Sequence, residues 1–483
     1  MKKHNLLLST LLLSWVGVLS GQQALSAEKQ QVVDYLNSQQ DRFSQCADKI
    51  WEWSELGYQE EQSSGLLQEI LEEEGFSVQK KAADLPTAFV ASYGSGRPVI
   101  AILAEFDALP GLSQAAVPFQ QKREGNKNGH ACGHHLFGSG SVAAAVAVKE
   151  WMKQNKVSGT IRLYGTPAEE GGGGKVFMVR AGLFDDVDVV LHWHPASFNS
   201  ADAGSSLAVK SAKFRFYGNA AHAAGEPWAG RSALDGVEAM NYMANLMREH
   251  VEPETRIHYV ITQGGDAPNI VPAFAEVYYY ARHPDVAKVK SIFESLVDMS
   301  EGAAKGTGTR TDYEVIMGLY NLLPNETLAS MMHANLEKIG GVFYTPEEKA
   351  FAEKIMTTYD AGGLPPEAAE KIQPFEVRER GGYASTDVGD ISWVVPTADL
   401  GAATWVPGTA AHSWQAVAAG GTSIGHKGMM VAAKTIALTT IDILRDPAVT
   451  EKAKAELNRR RGKAFSYESL VGDREPPIDY RQK

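Results

Sequence analysis

Cysteine is nearly absent from this chain: of 483 residues only Cys46 and Cys132 carry a thiol, so at most one internal disulfide can form and a disulfide scaffold is excluded. Positive charge is also short. Lys and Arg number 46 against 58 Asp and Glu, and the formal net charge of -12 disfavours nucleic acid as a general partner. Beyond the N-terminus no apolar run is long enough to span a bilayer. The four glycines before Lys175 are not a phosphate loop, because the framing glycine and the Ser or Thr after the lysine are missing. No internal repeat or low-complexity segment is present. What is left is an ordinary globular composition, 44% hydrophobic and 22% charged, in a chain long enough for two or more compact units.

The N-terminus reads as a targeting segment. Lys2 and Lys3 precede an apolar run from Leu6 to about Leu19, followed by Ala24-Leu25-Ser26-Ala27, the plan of a secretory signal peptide cleaved near Ser26 or Ala27. Residues 1–27 are therefore expected to be removed, leaving an exported protein, periplasmic or secreted, with no membrane attachment after cleavage. No cysteine stands at the cleavage site to take a lipid anchor.

One stretch concentrates chemistry: Gly129-His130-Ala131-Cys132-Gly133-His134-His135 places a thiol and three imidazoles between glycines. Cys and His are the softer protein ligands for zinc-like ions, and small residues let the backbone bend until Cys132 and His134 face one centre. The same triplet would suit a buried thiol beside satisfied histidines, or a Cys132 nucleophile activated by a histidine. Two side chains cannot close a metal site, so that reading needs further ligands. A disulfide to Cys46 would remove the thiolate a metal requires.

Candidate ligands lie where apolar runs end. A helical region from Glu28 to about Glu74, stopped by Gly75, leads to strands at 76–78, 88–93 and 99–104. The last is wholly apolar and ends in Glu105-Phe106-Asp107. A helix from about 138 to 154 precedes a strand at 160–166, which runs into Pro167-Ala168-Glu169-Glu170. Adjacent carboxylates repel unless a cation sits between them or one keeps its proton, so one can bind an ion while its neighbour handles a proton. A solvated acidic turn is the plain alternative. The strand at 187–191 ends in His192-Trp193-His194, and spacing alone leaves open which imidazole faces the site. In open α/β sheets, sites gather at the carboxyl ends of strands.

From about Ser206 the pattern changes. Strands at 207–209 and 213–218, a helix at 232–250, strands at 256–261 and 275–282, a helix at 286–305 and a strand around 313–316 make a compact α+β unit of ferredoxin-like type. The expected architecture is an α/β catalytic domain, with a mixed twisted sheet flanked by helices, in two parts at 28–206 and 323–450. The α+β unit at 207–322 is inserted between them. The charged segment 451–483 is expected to be a solvated helix with an exposed end.

Asp107-Ala-Leu-Pro, His130-Ala-Cys-Gly-His, Pro167-Ala-Glu-Glu-Gly-Gly, Trp193-His-Pro, Ala267-Pro-Asn-Ile-Val-Pro and His412-Ser-Trp occur in that order. Together they resemble the aminoacylase/carboxypeptidase family of co-catalytic metallopeptidases, in the amidohydrolase branch that holds p-aminobenzoyl-glutamate, hippurate and auxin-conjugate hydrolases. The likeness runs from Trp51 to about Leu444. It implies two divalent ions, Zn or Mn, held by Cys132, His134, Glu170, His412 and either His194 or His192, with the Trp-His-Pro context favouring His194. It implies Glu169 as general base and Asp107 as the acid that orients the metal site. Where many relatives carry a histidine two residues before that acid, this chain has Glu105.

The same resemblance matches His222, Asn269 and Arg282 to residues that hold a substrate carboxylate or the tetrahedral oxyanion. His222 in such enzymes often reaches the partner subunit's site, so the inserted unit is implied to be a lid and dimerisation domain, in a homodimer or with a homologous second subunit. The implied activity is hydrolysis of N-acyl or N-aroyl amino acids with a free carboxylate, p-aminobenzoyl-glutamate being one. An exported metallo-dipeptidase or carboxypeptidase is the alternative within the enzymes. A catalytically inactive ligand-binding protein on the same fold is the alternative outside them.

Overall fold

The structure, a computed structural model, describes residues 25–380, 382 and 384–481, so nearly all of the expected signal segment lies outside the described residues. The first helical region is three helices, α1 (Ala27–Ser38), α2 (Gln40–Trp53) and α3 (Glu61–Glu73). Ser54, at a left-handed φ of 45°, ends the second. Its stripe of Phe43, Cys46, Ala47 and Ile50 at helical spacing is buried, which explains why the helix packs inward there.

Then come β1 (Ser77–Lys80), β2 (Phe89–Ser95), β3 (Val99–Ala104), α4 (His134–Asn155), β4 (Gly159–Gly165), α5 (Gly174–Arg180), β5 (Val189–Leu191), β6 (His194–Ala196) and β7 (Ala203–Gly204). All six residues of β3 are buried, as a central strand covered on both faces requires. β3 lies between β4 and β5 and pairs in parallel with both, Ala104 opposite Gly165 and Ile102 opposite Leu191. This register puts the carboxyl ends of three strands at one edge. Glu105 and Asp107, Glu169 and Glu170, and His192 and His194 follow those ends.

The next unit is β8 (Ala208–Tyr217), α6 (Ala233–Met247), β9 (Arg256–Gln263), β10 (Phe274–His283), α7 (Val286–Thr307) and β11 (Arg310–Leu319). The two strands expected at 207–209 and 213–218 are one continuous strand. The sheet runs β11-β8-β10-β9 and every neighbouring pair is antiparallel. Phe214, Phe216, Val277 and Tyr279 form its own core with Val237 and Met240 of α6 and Phe293 and Leu296 of α7. Its other face carries ion pairs of Arg215 with Glu276 and Glu314.

The chain returns through α8 (Glu326–Ile339), α9 (Pro346–Met356), β12 (Val377–Arg378), α10 (Val388–Val394), β13 (Thr397–Ala398), β14 (Gly401–Ala403), α11 (Trp414–Gly420), α12 (Ser423–Arg445) and α13 (Ala448–Arg461). β13 completes the main sheet, in the order β1-β2-β4-β3-β5-β13, by pairing in parallel with β5, while β1, β2 and β4 pair antiparallel. The sheet is mixed and carries helices, an α/β architecture. No helix among the described residues is long and apolar enough to cross a membrane.

The end of the chain departs from the expectation. The boundary placed at 450/451 falls inside α13, and the segment beyond is neither a solvated helix nor an exposed end. Val449, Ala453 and Leu457 of α13 are buried, at a spacing of four residues that dense surrounding charge conceals. Glu456 accepts from the amides of Glu326 and Thr327 at the start of α8. Beyond Gly462, Leu470 and Val471 are buried, and Tyr480 packs edge-on to Tyr58 beside the Glu169–Glu170 turn.

Candidate metal centre and active site

Cys132 and His134 flank Gly133, which caps α4 at a φ of 79°. A Cβ there would lie 2.6 Å from Pro195, so glycine is needed for its conformation and for the close approach of β6. Ala168 and His412 also hold left-handed backbone, at φ of 58° and 59°. Strain in non-glycine residues of this kind persists only where surrounding structure enforces it, and here it turns the ligand-bearing loops toward one point.

Three groups of ligand atoms result, each within 4.8 Å: Cys132, His134 and His194; Cys132, Glu170 and His412; and Glu105, His134 and Glu169. Cys132 belongs to the first two. Its Sγ lies 3.5 Å from His194 Nε2, and His194 Nδ1 donates to the Pro195 carbonyl at 2.8 Å, which leaves the Nε2 lone pair facing the thiol. His412 Nε2 is 3.2 Å from Glu170 Oε1. Asp107 braces the centre from beneath: one oxygen accepts from His134 Nδ1 at 2.9 Å, the other from the Glu170 amide at 2.9 Å.

The residues fit a positive ion. Buried Glu105 Oε2, His134 Nε2 and Glu170 Oε1 have no hydrogen-bond partner, although His134 Nε2 and Glu105 Oε2 are only 3.0 Å apart. Burial raises the Glu169 carboxyl well above the carboxylate range, and Glu105, Glu170 and Asp387 push it further. Burial also raises the Cys132 thiol. His134 moves the opposite way: burial would lower it, but Glu105, Cys132 and Asp107 outweigh that and hold it well above an ordinary imidazole. Burial is the first cause at Glu169 and Cys132, and the crowding of carboxylates adds to it, while the same carboxylates hold the proton on His134.

Lys175 is the one buried ammonium here. Its Nζ pairs at 2.7 Å with both Glu105 and Asp387, and its amide donates to the other Asp387 oxygen at 3.0 Å. Glu105 is thus already committed to a cation, which favours the two groups sharing Cys132 over the third. The role of Lys175 was not read from the sequence; a lone lysine opening the apolar α5 was the available signal. Glu60 was missed as well. It accepts from the Ala168 amide at 2.9 Å and from Thr87 Oγ1 at 2.7 Å, and burial pushes it up to about 8.

The structure separates the other histidines. His192 is buried with both ring nitrogens unpartnered and Nδ1 3.5 Å from Asp399, so it lines the cleft without joining the ligand groups. His130 and His135 of the same motif face the carbonyls of Ile50 and Gly420 at 3.0 Å, satisfied core histidines on that side. Both cysteines are free thiols.

A cleft of about 660 Å³ opens over Cys132, Glu169, Glu170 and His412. Arg282 approaches it, with Nη1 3.5 Å from Ser385 Oγ in its wall. His222 and Asn269 do not line it. They sit on exposed loops, where His222 Nδ1 accepts from the amides of Ala224 and Gly225 and its Nε2 is left free. Within one chain, therefore, the expected ligand and base residues come together and two of the three expected substrate-holding residues stay apart.

The sequence profile of peptidase family M20/M25/M40 matches residues 101–373. The chain is 40% identical to the B-type subunit of p-aminobenzoyl-glutamate hydrolase of Escherichia coli (strain K12), over 88% of this chain and 93% of that protein. It is 30% identical to the Xaa-Arg dipeptidase of Mus musculus, over 89% of this chain and 91% of that one. A dinuclear metal-binding peptidase of the M20 family from Bacillus subtilis shares the fold, with a TM-score of 0.57 at 18% identity over 85% of this chain and 99% of that chain.

Proposed function

The chain belongs to peptidase family M20/M25/M40 and is a hydrolase, and from that premise we propose that it cleaves the amide bond of N-acyl or N-aroyl amino acids of the p-aminobenzoyl-glutamate kind, in a cleft holding two divalent cations. The observation that carries the reading is the membership of Cys132 in two ligand groups, one with His134 and His194 and one with Glu170 and His412. Sulfur in the donor set leans toward zinc over manganese. The 40% identity over nearly the full relative supports the substrate class.

Divalent cations bound there supply polarisation of the scissile carbonyl and a water acidic enough to yield hydroxide near neutral pH. Glu169 would take a proton from the attacking water and hand it to the leaving amine, a role its place in the cleft beside the ligand groups supports. Asp107 fixes the orientation of His134 and of the Glu170 backbone. Arg282 holds the substrate carboxylate, for which its planar fork is suited, and Asn269, which stands outside its own chain's cleft, assists from a second subunit. The exposed Nε2 of His222 stabilises the oxyanion in a second subunit, a copy of this chain or a homologue; that the Escherichia coli relative is named as one of two kinds of subunit supports the second option. The Lys-led apolar N-terminus supports export to the periplasm or beyond.

The dipeptidase reading has an observation of its own in the 30% identity to an Xaa-Arg dipeptidase. One panel tests both: p-aminobenzoyl-glutamate, benzoyl and acyl amino acids and Xaa-Arg dipeptides, with metal analysis, before and after chelation. The expected result is bound metal, activity lost on chelation and restored by Zn or Mn, and the highest kcat/KM on the aroyl glutamate. Highest kcat/KM on Xaa-Arg selects the dipeptidase. A protein that takes up no metal under any condition is a binding protein on this fold.

A further inference from the structure

The turn that carries Glu169 and Glu170 is held from two sides. On its inner side the Ala168 amide donates to Glu60 and the Glu170 amide to Asp107. On its outer side the Gly172 carbonyl accepts from Tyr58 Oη at 3.0 Å, and the Glu170 carbonyl accepts twice, from Tyr480 Oη at 3.0 Å and from Arg481 Nη2 at 2.5 Å. Both donors to Glu170 come from the last residues described, more than 300 positions downstream. Gly57 leaves the space for this arrangement: a Cβ there would lie 2.3 Å from Tyr480 Oη and 2.8 Å from Ala168 Cβ.

The segment that delivers Tyr480 and Arg481 is anchored along its length. Tyr320 Oη donates to the Glu468 carbonyl at 2.8 Å. Leu470 lies against Gly318 of β11, Arg474 donates to the Ile316 carbonyl at 2.5 Å, and Arg180 of α5 donates to the carbonyls of Gly472 and Arg474 at 2.9 and 2.6 Å. The strap thus crosses from the last strand of the second sheet to the acidic turn, where its tip bonds the Glu170 carbonyl and packs on the Tyr58 ring.

We propose that Tyr480 and Arg481 are positioning residues: by clamping the Glu170 carbonyl they hold the strained Ala168–Glu170 backbone so that the Glu170 carboxyl faces His412 and Cys132 and the Glu169 carboxyl faces the cleft. The proposal rests on the reading of Glu169 as base and Glu170 as ligand. Ala168 in left-handed conformation relaxes once its enforcing contacts are removed. A shift of about 1 Å in a reacting group costs roughly 100-fold in rate, so two lost hydrogen bonds outside the cleft are felt within it.

The test compares Y480F, R481M, the Y480F/R481M double variant and a chain ending at Pro477 with the wild type and with E475A, a change on the exposed side of the same strap. Four readouts are taken: kcat and KM, Tm, the chelator concentration that strips the bound cation, and amide exchange over residues 166–173. Y480F alone is expected to lower kcat about 3- to 10-fold and the double variant about 30-fold or more, with KM within about twofold. Exchange in the turn is expected to quicken and the cation to be lost at about tenfold lower chelator, with Tm and E475A unchanged. R481K, which keeps a donor without the fork, is expected to restore part of the loss. The proposal falls if the double variant matches the wild type in kcat and turn exchange, or if every loss follows a fall in Tm. A wild type that hydrolyses no amide would sink the proposed function while exchange and cation retention still judge the strap.

Discussion

The two regions expected to share the chemistry are built differently. The cluster around Cys132 stands on the ends of three adjacent parallel strands, is largely buried, and has Asp107, Glu60 and Lys175 bracing it from behind. The loops carrying His222 and Asn269 follow β8 and precede β10, the inner strands of a second sheet with its own core, are exposed, and do not line the cleft. Strand ends in one sheet converge because hydrogen-bond register fixes their spacing, so a single chain completes that half. Loop tips on a separate sheet reach a target only through the placement of that whole sheet or of another molecule. The difference teaches that the two halves proposed for this site, one for metal and one for substrate, fail in different ways.

The comparison can be broken at four points. Glu169→Gln should lower kcat about 1000-fold or more with little change in KM or bound metal, measured by steady-state kinetics and metal analysis. Full activity in that variant would remove the base from the mechanism. Lys175→Met leaves Glu105 and Asp387 buried without their shared cation, and urea denaturation should show a loss of about 3–5 kcal/mol. The matching change in the other region, His222→Ala, should cost roughly 100-fold in kcat yet less than about 0.5 kcal/mol of stability, because the residue is exposed. If His222 serves a second copy, mixing H222A with E169Q should restore activity in roughly a quarter of the sites, and a mixture that stays inactive assigns His222 to its own chain or to no site.

The smallest effect probes burial itself. Asp390 accepts from the Tyr320 amide at 3.0 Å and from Tyr467 Oη at 2.7 Å, and burial pushes its carboxyl up from 3.8 to about 7. The folded chain therefore holds this proton more tightly than the unfolded chain. The contribution is full below about pH 4 and is lost as pH rises toward about 7. Asp390→Asn keeps an acceptor for the amide and offers a donor to the phenol, so its Tm should fall less than that of the wild type between pH 4 and pH 7. Equal slopes in thermal scans would place the titration elsewhere.

Much of the site was legible in the residues because strand ends and turns announce themselves. The apolar run of β3 ends at Ala104 as read, and the acids and imidazoles after β3, β4 and β5 follow by position. Spacing left His194 and His192 open and only the resemblance favoured His194: the amides of Val190, His192 and His194 donate in turn to the carbonyls of Pro396, Ala398 and Leu400, so both imidazoles leave one extended run, and what separates them is Cys132 Sγ beside His194 Nε2. The C-terminal segment was misread because its charge outnumbers its buried residues, although Val449, Ala453 and Leu457 carry the helical period.

By itself the sequence determined the local chemistry: which stretches alternate or run apolar, where glycine permits a left-handed turn at Gly133, and which residue types can take a metal or a proton. Those follow from backbone sterics and side-chain pKa, which act within a few residues. Tertiary structure alone decided that Cys132 serves two ligand groups, that Lys175 neutralises Glu105 and Asp387, and that Tyr480 and Arg481 close on the Glu170 carbonyl. Contacts between residues hundreds of positions apart depend on how the sheet stacks strands and how the last helix directs the chain, and no local pattern encodes that path.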